Sequence, residues 1–274
     1  MPDASPWITV GELAHAFAPD NNAPPATKDL AGKTLALALE NGQAIEHRFE
    51  TGNNLTWEIT QGTGKGRRDD ETYLAVKLRD GIYFVDYVKH QERATSVTLL
   101  IDLDLAILTA LIGRLPEPSE TKLTLMERIA GGRELTSVHA LFLSGAVDAP
   151  FTAETPRHNT TDDLVGRRVE YTYSPTERYE HVYLNERFYT WHCLLGSEKG
   201  LGDTDRCHYY KLAEDLYLFV WREKIVPTLG VVVVDFDKMR TAGKIFGYDG
   251  GDPGKLSNFP VGAHARLLNV TRRD

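Results

Sequence analysis

The chain of 274 residues repeats itself. When Leu30 is placed on Leu164, the register holds without a gap over 58 positions and contains thirteen identities. They include Trp57 with Trp191, a Glu-His pair and three glycines, all in the same order in both halves. Self-similarity at a fixed shift is typical of a duplicated structural unit. The repeat therefore predicts two copies of one fold.

The stretch from Leu115 to Thr136 separates the two copies. It contains Leu-Pro-Glu-Pro-Ser and Gly-Gly-Arg-Glu, which are typical of a linker, and a short predicted helix from Thr121 to Ile129. We therefore divide the chain into a first domain, residues 1–135, and a second domain, residues 136–274. A further short helix is predicted from Val10 to Phe17.

Each copy has the pattern of short β-strands joined by turns. In the second copy Val169, Tyr171 and Tyr173 alternate with polar residues and Ser174-Pro175 follows as a turn. About eight such strands in ~110 residues fit a small antiparallel barrel or sandwich, and a barrel of that size can hold one small ligand. No helical pattern lies between the strands, so a parallel α/β fold is disfavoured.

Composition excludes several classes of function. The net charge of −8 disfavours binding to nucleic acid or to an anionic membrane surface. No apolar run approaches the length of a membrane span, and no secretory signal is visible at the start. With only two cysteines, Cys193 and Cys207, the chain is expected to be a cytoplasmic protein.

Strand parity gathers aromatic residues on one face of the second copy. Tyr179, His181 and Tyr183 point one way, together with Tyr171 and Tyr173 on the neighbouring strand. The first copy has mostly aliphatic residues at these positions, so we predict the ligand site in the second copy. The alternative is that these tyrosines only pack a barrel interior. The predicted substrate-binding residues are Tyr171, Tyr173, Tyr179, Tyr183, Trp191, Tyr217 and Trp221.

Three residues of the second copy are candidates for chemistry. His181 can act as a general acid or base because its pKa lies near neutrality, although the Glu-His pair occurs in both copies and can be structural. Arg222 can pin a carboxylate and Glu223 can donate a proton from an apolar setting. Adjacent residues on a strand face opposite ways, so only one of the two lines the lumen unless a bulge intervenes. The alternative is that Arg222 and Glu223 belong to an exposed run of charged residues at the end of a strand and have no catalytic role.

Other motifs are weaker. The glycine-rich segment from Gly196 to Gly200 lacks the spacing of a phosphate-binding loop and is either a lid over the barrel mouth or a plain connection. The pairs His192-Cys193 and Cys207-His208 do not complete a tetrahedral set of ligands, so no metal is predicted. No nucleotide signature is visible, and no cofactor is expected.

The second half resembles the MoaF family closely, and the first half resembles the family's N-terminal domain around Leu30–Lys33 and Asn53–Glu58. The stretches that carry the closer resemblance are Asp163–Val169, Tyr179–Asn185, Tyr189–Leu194, Glu198–Asp205, Tyr217–Thr228, Gly243–Tyr248 and Asn258–Ala263. The resemblance implies an all-β fold of two tandem calycin-like, that is lipocalin-like, antiparallel β-barrels with short helices.

The family's name is linked to molybdenum cofactor biosynthesis and to a bacterial monoamine-use regulon. The chain shows no pterin or nucleotide signature, so we favour the second link, which suggests small aromatic amines or their aldehyde and acid products. A fold-level resemblance to phenolic acid decarboxylases adds that tyrosines, an arginine and a glutamate can work in such a barrel without a cofactor.

Two functions are therefore expected. The first is a cofactor-independent enzyme, a lyase, isomerase or decarboxylase, that acts on an aromatic amine or phenolic compound with His181, Glu223 and Arg222 as catalytic residues. The second is a carrier that binds such a molecule without changing it. A homodimer is compatible with either function.

Overall fold

Both predicted barrels are present, and the all-β fold class is confirmed. The structure is a computed structural model that describes residues 7–18, 20–250 and 254–272. Each barrel is a closed antiparallel sheet of eight strands, so neither presents a long open edge. Among the described residues no helix is both long and apolar enough to cross a membrane.

The N-terminal barrel consists of strands that follow one another around the ring. The last strand pairs with the first, with Leu37 opposite Val147, and this pairing closes the barrel. The strands are β1 (Thr34–Leu39), β2 (Ala44–Phe49), β3 (Asn54–Gln61), β4 (Arg68–Arg79), β5 (Ile82–Val88), β6 (Thr95–Asp102), β7 (Ile107–Arg114) and β8 (His139–Val147).

The C-terminal barrel repeats this arrangement. Its hairpins run from β10 to β16, and β18 closes the ring by pairing with β10 and β16. A short strand, β9, lies along β13, and β17 lies along β16. The strands are β9 (Asn159–Thr160), β10 (Arg167–Thr172), β11 (Arg178–Tyr183), β12 (Phe188–Leu195), β13 (Gly202–Ala213), β14 (Leu216–Arg222), β15 (Thr228–Asp235), β16 (Arg240–Tyr248), β17 (Leu256–Val261) and β18 (His264–Val270).

The two compact units are interleaved along the chain. The N-terminal unit comprises Pro25–Arg114 and Ala140–His158, and the C-terminal unit comprises the described residues up to Pro24, Leu115–His139 and the chain from Asn159 onward. A boundary between residues 135 and 136 therefore does not coincide with these units. The reason is that β8, which follows residue 135, supplies the strand that β1 needs for closure.

Among the described residues, helix is confined to three short pieces. Helix α1 (Val10–Phe17) has the predicted bounds, whereas the predicted helix at 121–129 is divided into α2 (Pro118–Thr121) and α3 (Leu125–Ala130). A capping box starts α1: the Thr9 hydroxyl accepts from the Glu12 amide at 3.2 Å, and the Glu12 carboxylate accepts from the Thr9 amide at 2.7 Å.

Helix α1 belongs to the C-terminal unit and packs on β16 and β17. The ring of Phe17 lies 4.9 Å from that of Tyr173 and 5.8 Å from that of Tyr179, measured between centroids. Two glycines allow the close approach. A Cβ at Gly247 of β16 would overlap the Val10 side chain, and a Cβ at Gly11 would overlap the backbone of Asp249.

We expect the substitution Gly247→Ala to loosen α1 and to lower the free energy of unfolding by about 1–3 kcal/mol, the usual cost of overpacking a tight contact. Denaturant unfolding measures the loss, and amide hydrogen exchange of residues 10–17 locates it. Gly250→Ala is the matched control, because a Cβ there meets open space. Equal stability and equal exchange in the two variants would contradict this account of the helix contact.

Candidate functional site

The interior of the C-terminal barrel is aromatic. Alternate residues of β10, β11, β12 and β14 point inward, as strand parity requires. Tyr217, Phe219 and Trp221 all belong to the buried core, and the rings of Phe219 and Trp221 stack with centroids 5.2 Å apart. The predicted inward face is therefore the face that the barrel buries.

A small cavity lies within this core, with a volume of about 40 Å³. Residues of helix α1, among them Val10, Leu13 and Phe17, form part of its wall. Six of the ten predicted site residues line it: His181, Glu223, Tyr173, Tyr179, Trp191 and Trp221.

Glu223 directly follows β14 and turns its carboxyl group into the lumen. The indole nitrogen of Trp221 donates to its Oε1 at 2.8 Å, while the backbone carbonyl of Glu223 accepts from the Thr136 hydroxyl at 3.0 Å. Burial, reinforced by the nearby Asp205 carboxylate, raises the pKa of Glu223 well above its usual range. Of the Arg222-Glu223 pair, Glu223 is therefore the residue that faces the lumen.

His181 projects from β11 into the same interior and is 4% exposed. Aromatic rings surround it, with the centroids of Tyr171 and Tyr189 at 4.8 Å and 5.1 Å. Burial lowers the pKa of His181 to about 3, so the imidazole is neutral at physiological pH. Its Nδ1 is buried and has no hydrogen-bond partner among the described residues.

Glu180, the neighbour of His181 in sequence, faces the other way, as predicted. On the outer side of the barrel it accepts from Arg168 at 2.8 Å and pairs with His192 at 3.1 Å. It is therefore not the partner of His181.

Two acidic residues near the cavity were missed by sequence reasoning. Glu198 lies in the glycine-rich segment, lines the cavity and accepts from the Tyr179 hydroxyl at 3.0 Å. Asp205 lies on β13 and accepts from the indole nitrogen of Trp191 at 3.1 Å. Burial raises the pKa of both carboxyl groups. Comparison of the two copies could have indicated Glu198, because its counterpart in the repeat is Gly64.

Three predicted tyrosines do not line the cavity. Tyr171 and Tyr183 share a 2.7 Å hydrogen bond between their hydroxyl groups within the fully packed part of the core. Tyr217 donates its hydroxyl to Asp163 at 3.0 Å. These residues fit the packing alternative that the sequence left open, since their hydroxyl groups are hydrogen-bonded to other side chains of the protein.

Arg222 is also held away from the cavity. Its guanidinium donates to the two carboxylate oxygens of Glu134 at 2.8 Å and 3.2 Å and to the Val138 carbonyl at 3.0 Å. Arg206 binds the same carboxylate at 2.8 Å. Arg222 therefore fastens the segment before β8 to the barrel wall.

Neither cysteine forms a disulfide: Cys193 and Cys207 are both buried thiols. Burial raises the pKa of Cys193 to about 11 and that of Cys207 to about 12, so both thiols are protonated at neutral pH. His192, beside Cys193, lies on the outer face with Glu180. In the parts of the chain that the structure describes, no three His, Cys, Asp or Glu residues are grouped to hold a metal ion.

Comparison with known proteins decides the family. Residues 5–117 match the MoaF N-terminal domain and residues 158–271 match the MoaF C-terminal domain. Protein MoaF from Klebsiella aerogenes is 43% identical over 275 aligned positions, which cover 99% of both chains. The chain belongs to the MoaF family.

The family assignment made from sequence motifs is thus confirmed. A solved structure from Burkholderia vietnamiensis, provisionally assigned as a beta-lactamase, is similar over 39% of this chain and 96% of its own, with 16% identity and a TM-score of 0.33. A likeness at that level supports no conclusion about function.

The Arg222–Glu134 pair makes the C-terminal unit sensitive to acid. Burial would raise the pKa of Glu134, but the guanidinium groups of Arg222 and Arg206 outweigh it and lower that pKa from 4.5 to about 2. A carboxylate whose pKa is lower in the folded state stabilises the fold above its unfolded pKa, and this stabilisation is lost as the pH falls.

We therefore expect Glu134→Gln to reduce the stability lost between about pH 4.5 and pH 2, and to lower stability at neutral pH. Urea unfolding at several pH values measures both effects. Glu186→Gln, on an exposed turn, is the control. If the stability of the Glu134→Gln protein falls as steeply with acid as that of the unsubstituted protein, the Arg222–Glu134 pair does not contribute to the acid sensitivity.

Proposed function

We propose that the C-terminal barrel is an acid–base site that acts, without a nucleotide cofactor, on a small aromatic amine or phenolic compound. The reaction class is that of a lyase, isomerase or decarboxylase. The observation that carries the proposal is the Glu223 carboxyl group in an aromatic interior, hydrogen-bonded to Trp221, where burial raises its pKa and favours the protonated form.

The proposed roles of Glu223 and His181 follow from the direction in which burial shifts their pKa values. Glu223, whose raised pKa favours the protonated carboxyl group, can donate a proton to a bound substrate. His181 is neutral and its buried Nδ1 is free to exchange a hydrogen bond with a substrate. The faces of Trp191, Trp221 and Tyr179 can hold an aromatic ring, or an ammonium group through cation–π contact. Arg222 has no part in this site, because its guanidinium is bound to Glu134.

Substrate entry requires helix α1 to shift. A cavity of about 40 Å³ has room for about three water molecules but not for an aromatic ring. Because Val10, Leu13 and Phe17 form part of the wall, movement of the helix is the simplest way to enlarge the site. The helix would then close over the substrate and exclude water.

The alternative function is that of a carrier for the same class of ligand. The part of the cavity wall that α1 supplies favours it, since a largely aromatic pocket can retain a ligand whether or not chemistry follows. Both functions are proposed for a cytoplasmic protein, monomer or homodimer, whose partner is a small aromatic molecule rather than nucleic acid or membrane.

A thermal-shift screen with 2-phenylethylamine, 4-hydroxybenzaldehyde and 4-hydroxybenzoate tests binding. A compound that binds only the folded protein raises the melting temperature. Liquid chromatography with mass spectrometry of each stabilising compound after incubation then separates the two functions. A changed mass, or a changed retention time at the same mass, supports the enzyme, and an unchanged compound supports the carrier. If no aromatic probe of any charge stabilises the protein, both functions are contradicted.

For any compound that is converted, we expect Glu223→Gln to lower kcat at least about 100-fold and to leave binding intact. The amide keeps the size of the side chain and can still accept from Trp221. Glu180→Gln is the matched control, because Glu180 lies on the outer face of the same barrel. Full turnover by the Glu223→Gln protein would exclude Glu223 as the proton donor.

A further inference from the structure

The interior of the N-terminal barrel contains a larger cavity than the proposed active site. Its volume is about 260 Å³, against about 40 Å³ in the C-terminal barrel. The sequence suggested that aliphatic side chains fill this interior, but they line it instead. The apolar lining residues are Leu37, Leu39, Ile45, Trp57, Ile59, Val97, Leu99, Ala110, Ile112 and Leu143.

The difference has a structural cause. All residues that line the N-terminal cavity come from the strands and connecting loops of its own barrel. The C-terminal cavity is narrowed by large aromatic residues and by helix α1. For comparison, an engineered apolar cavity of roughly 150 Å³ binds benzene. The N-terminal cavity therefore has room for an apolar molecule of about ten non-hydrogen atoms.

The polar groups of His47 and Tyr87 in the wall carry no charge, and the Nδ1 atom of His47 is buried without a hydrogen-bond partner among the described residues. His47 and the hydroxyl of Tyr87 share a 3.0 Å hydrogen bond, and both residues are buried. Burial lowers the pKa of His47 to about 4, so the imidazole carries no charge at neutral pH. The interior thus offers an apolar ligand no charged group to desolvate.

Charge is concentrated at the cavity's exposed side. Lys89 and Arg67 bind the same carboxylate, that of Glu92, at 2.6 Å and 3.0 Å. The Lys89 ammonium also lies 4.3 Å from the centre of the Trp57 ring. Among the residues that line the cavity, the two cations Lys89 and Arg67 thus stand against the single carboxylate of Glu92, and the Arg67 side chain is half-exposed.

We propose that the N-terminal barrel binds an apolar monocarboxylate of about ten non-hydrogen atoms. The hydrocarbon part lies among the aliphatic walls, and the carboxylate pairs with Lys89 and Arg67. This site is separate from the proposed acid–base site and does not depend on it.

The repeat supports a difference in ligand charge. Lys89 and Glu223 occupy corresponding positions, at the same shift that aligns Leu30 with Leu164. Glu92 likewise corresponds to Val226, and each residue lines the cavity of its own barrel. The two copies thus place a lysine and a glutamate at one position of a shared fold, so the two interiors offer a ligand different head-group partners.

Isothermal titration calorimetry of the full chain with octanoate tests the proposal. Octan-1-ol and octylammonium are matched probes that keep the hydrocarbon and change the head group. We expect octanoate to bind once per chain, and octan-1-ol and octylammonium to bind at least about tenfold more weakly, because each lacks the charge-assisted contact. Absence of octanoate binding, or equal affinity for all three probes, would overturn the proposal.

Variants locate the site. Lys89→Gln should weaken octanoate binding about tenfold and leave octan-1-ol binding unchanged. Arg48→Gln is the control, since it removes one positive charge from an exposed residue of the same barrel that pairs with Glu46 and does not line the cavity. Equal loss of octanoate affinity in the two variants would show a general charge effect and contradict the pairing.

Filling the cavity provides the second test. Ala110→Leu should abolish binding of octanoate and octan-1-ol without lowering the melting temperature, because the added methyl groups occupy empty space. If Ala110→Leu does not fold, Ile112→Phe fills the same cavity from the same strand. Octanoate binding that persists in a folded, cavity-filled variant would place the ligand elsewhere and overturn the proposal.

Discussion

Closure of each sheet into a ring is the constraint on which the rest of the structure depends. Once β8 pairs with β1, and β18 with β10, every second side chain of each strand is forced into a largely apolar interior. A polar group on that face must find a partner or lose its charge. The neutral imidazole of His181 and the raised pKa of Glu223 are both direct results of this burial.

The period-two pattern explains how much could be predicted. It placed Tyr179 and His181 inside and Glu180 outside, because strand geometry alone fixes that alternation. It did not reveal β7, whose residues Ile107 to Leu111 are all buried and show no alternation. Nor did it reveal β17, which contains Pro260 and pairs with a single neighbour.

The candidate site was only partly predictable, since partners distant in sequence decide its composition. Nothing near Arg222 indicates that Glu134 binds it, 88 residues earlier in the chain. Helix α1, which contributes part of the cavity wall, is likewise distant in sequence from the strands it covers. Parity shows which way a side chain points, but it cannot show whether the space in front of it is empty. The repeat therefore predicts which positions face inward in both barrels, but it does not predict the different volumes of their cavities.

The place of α1 in the chain has a consequence for how the protein is made and dissected. The helix precedes the whole N-terminal barrel in sequence, yet it completes the C-terminal unit. During synthesis its apolar face, with Val10 and Phe17, has no partner until the last strands leave the ribosome. A fragment that begins at the linker would lack this wall and leave Tyr173 and Tyr179 exposed to solvent. The repeat boundary, although clear in sequence, is therefore the wrong place to cut.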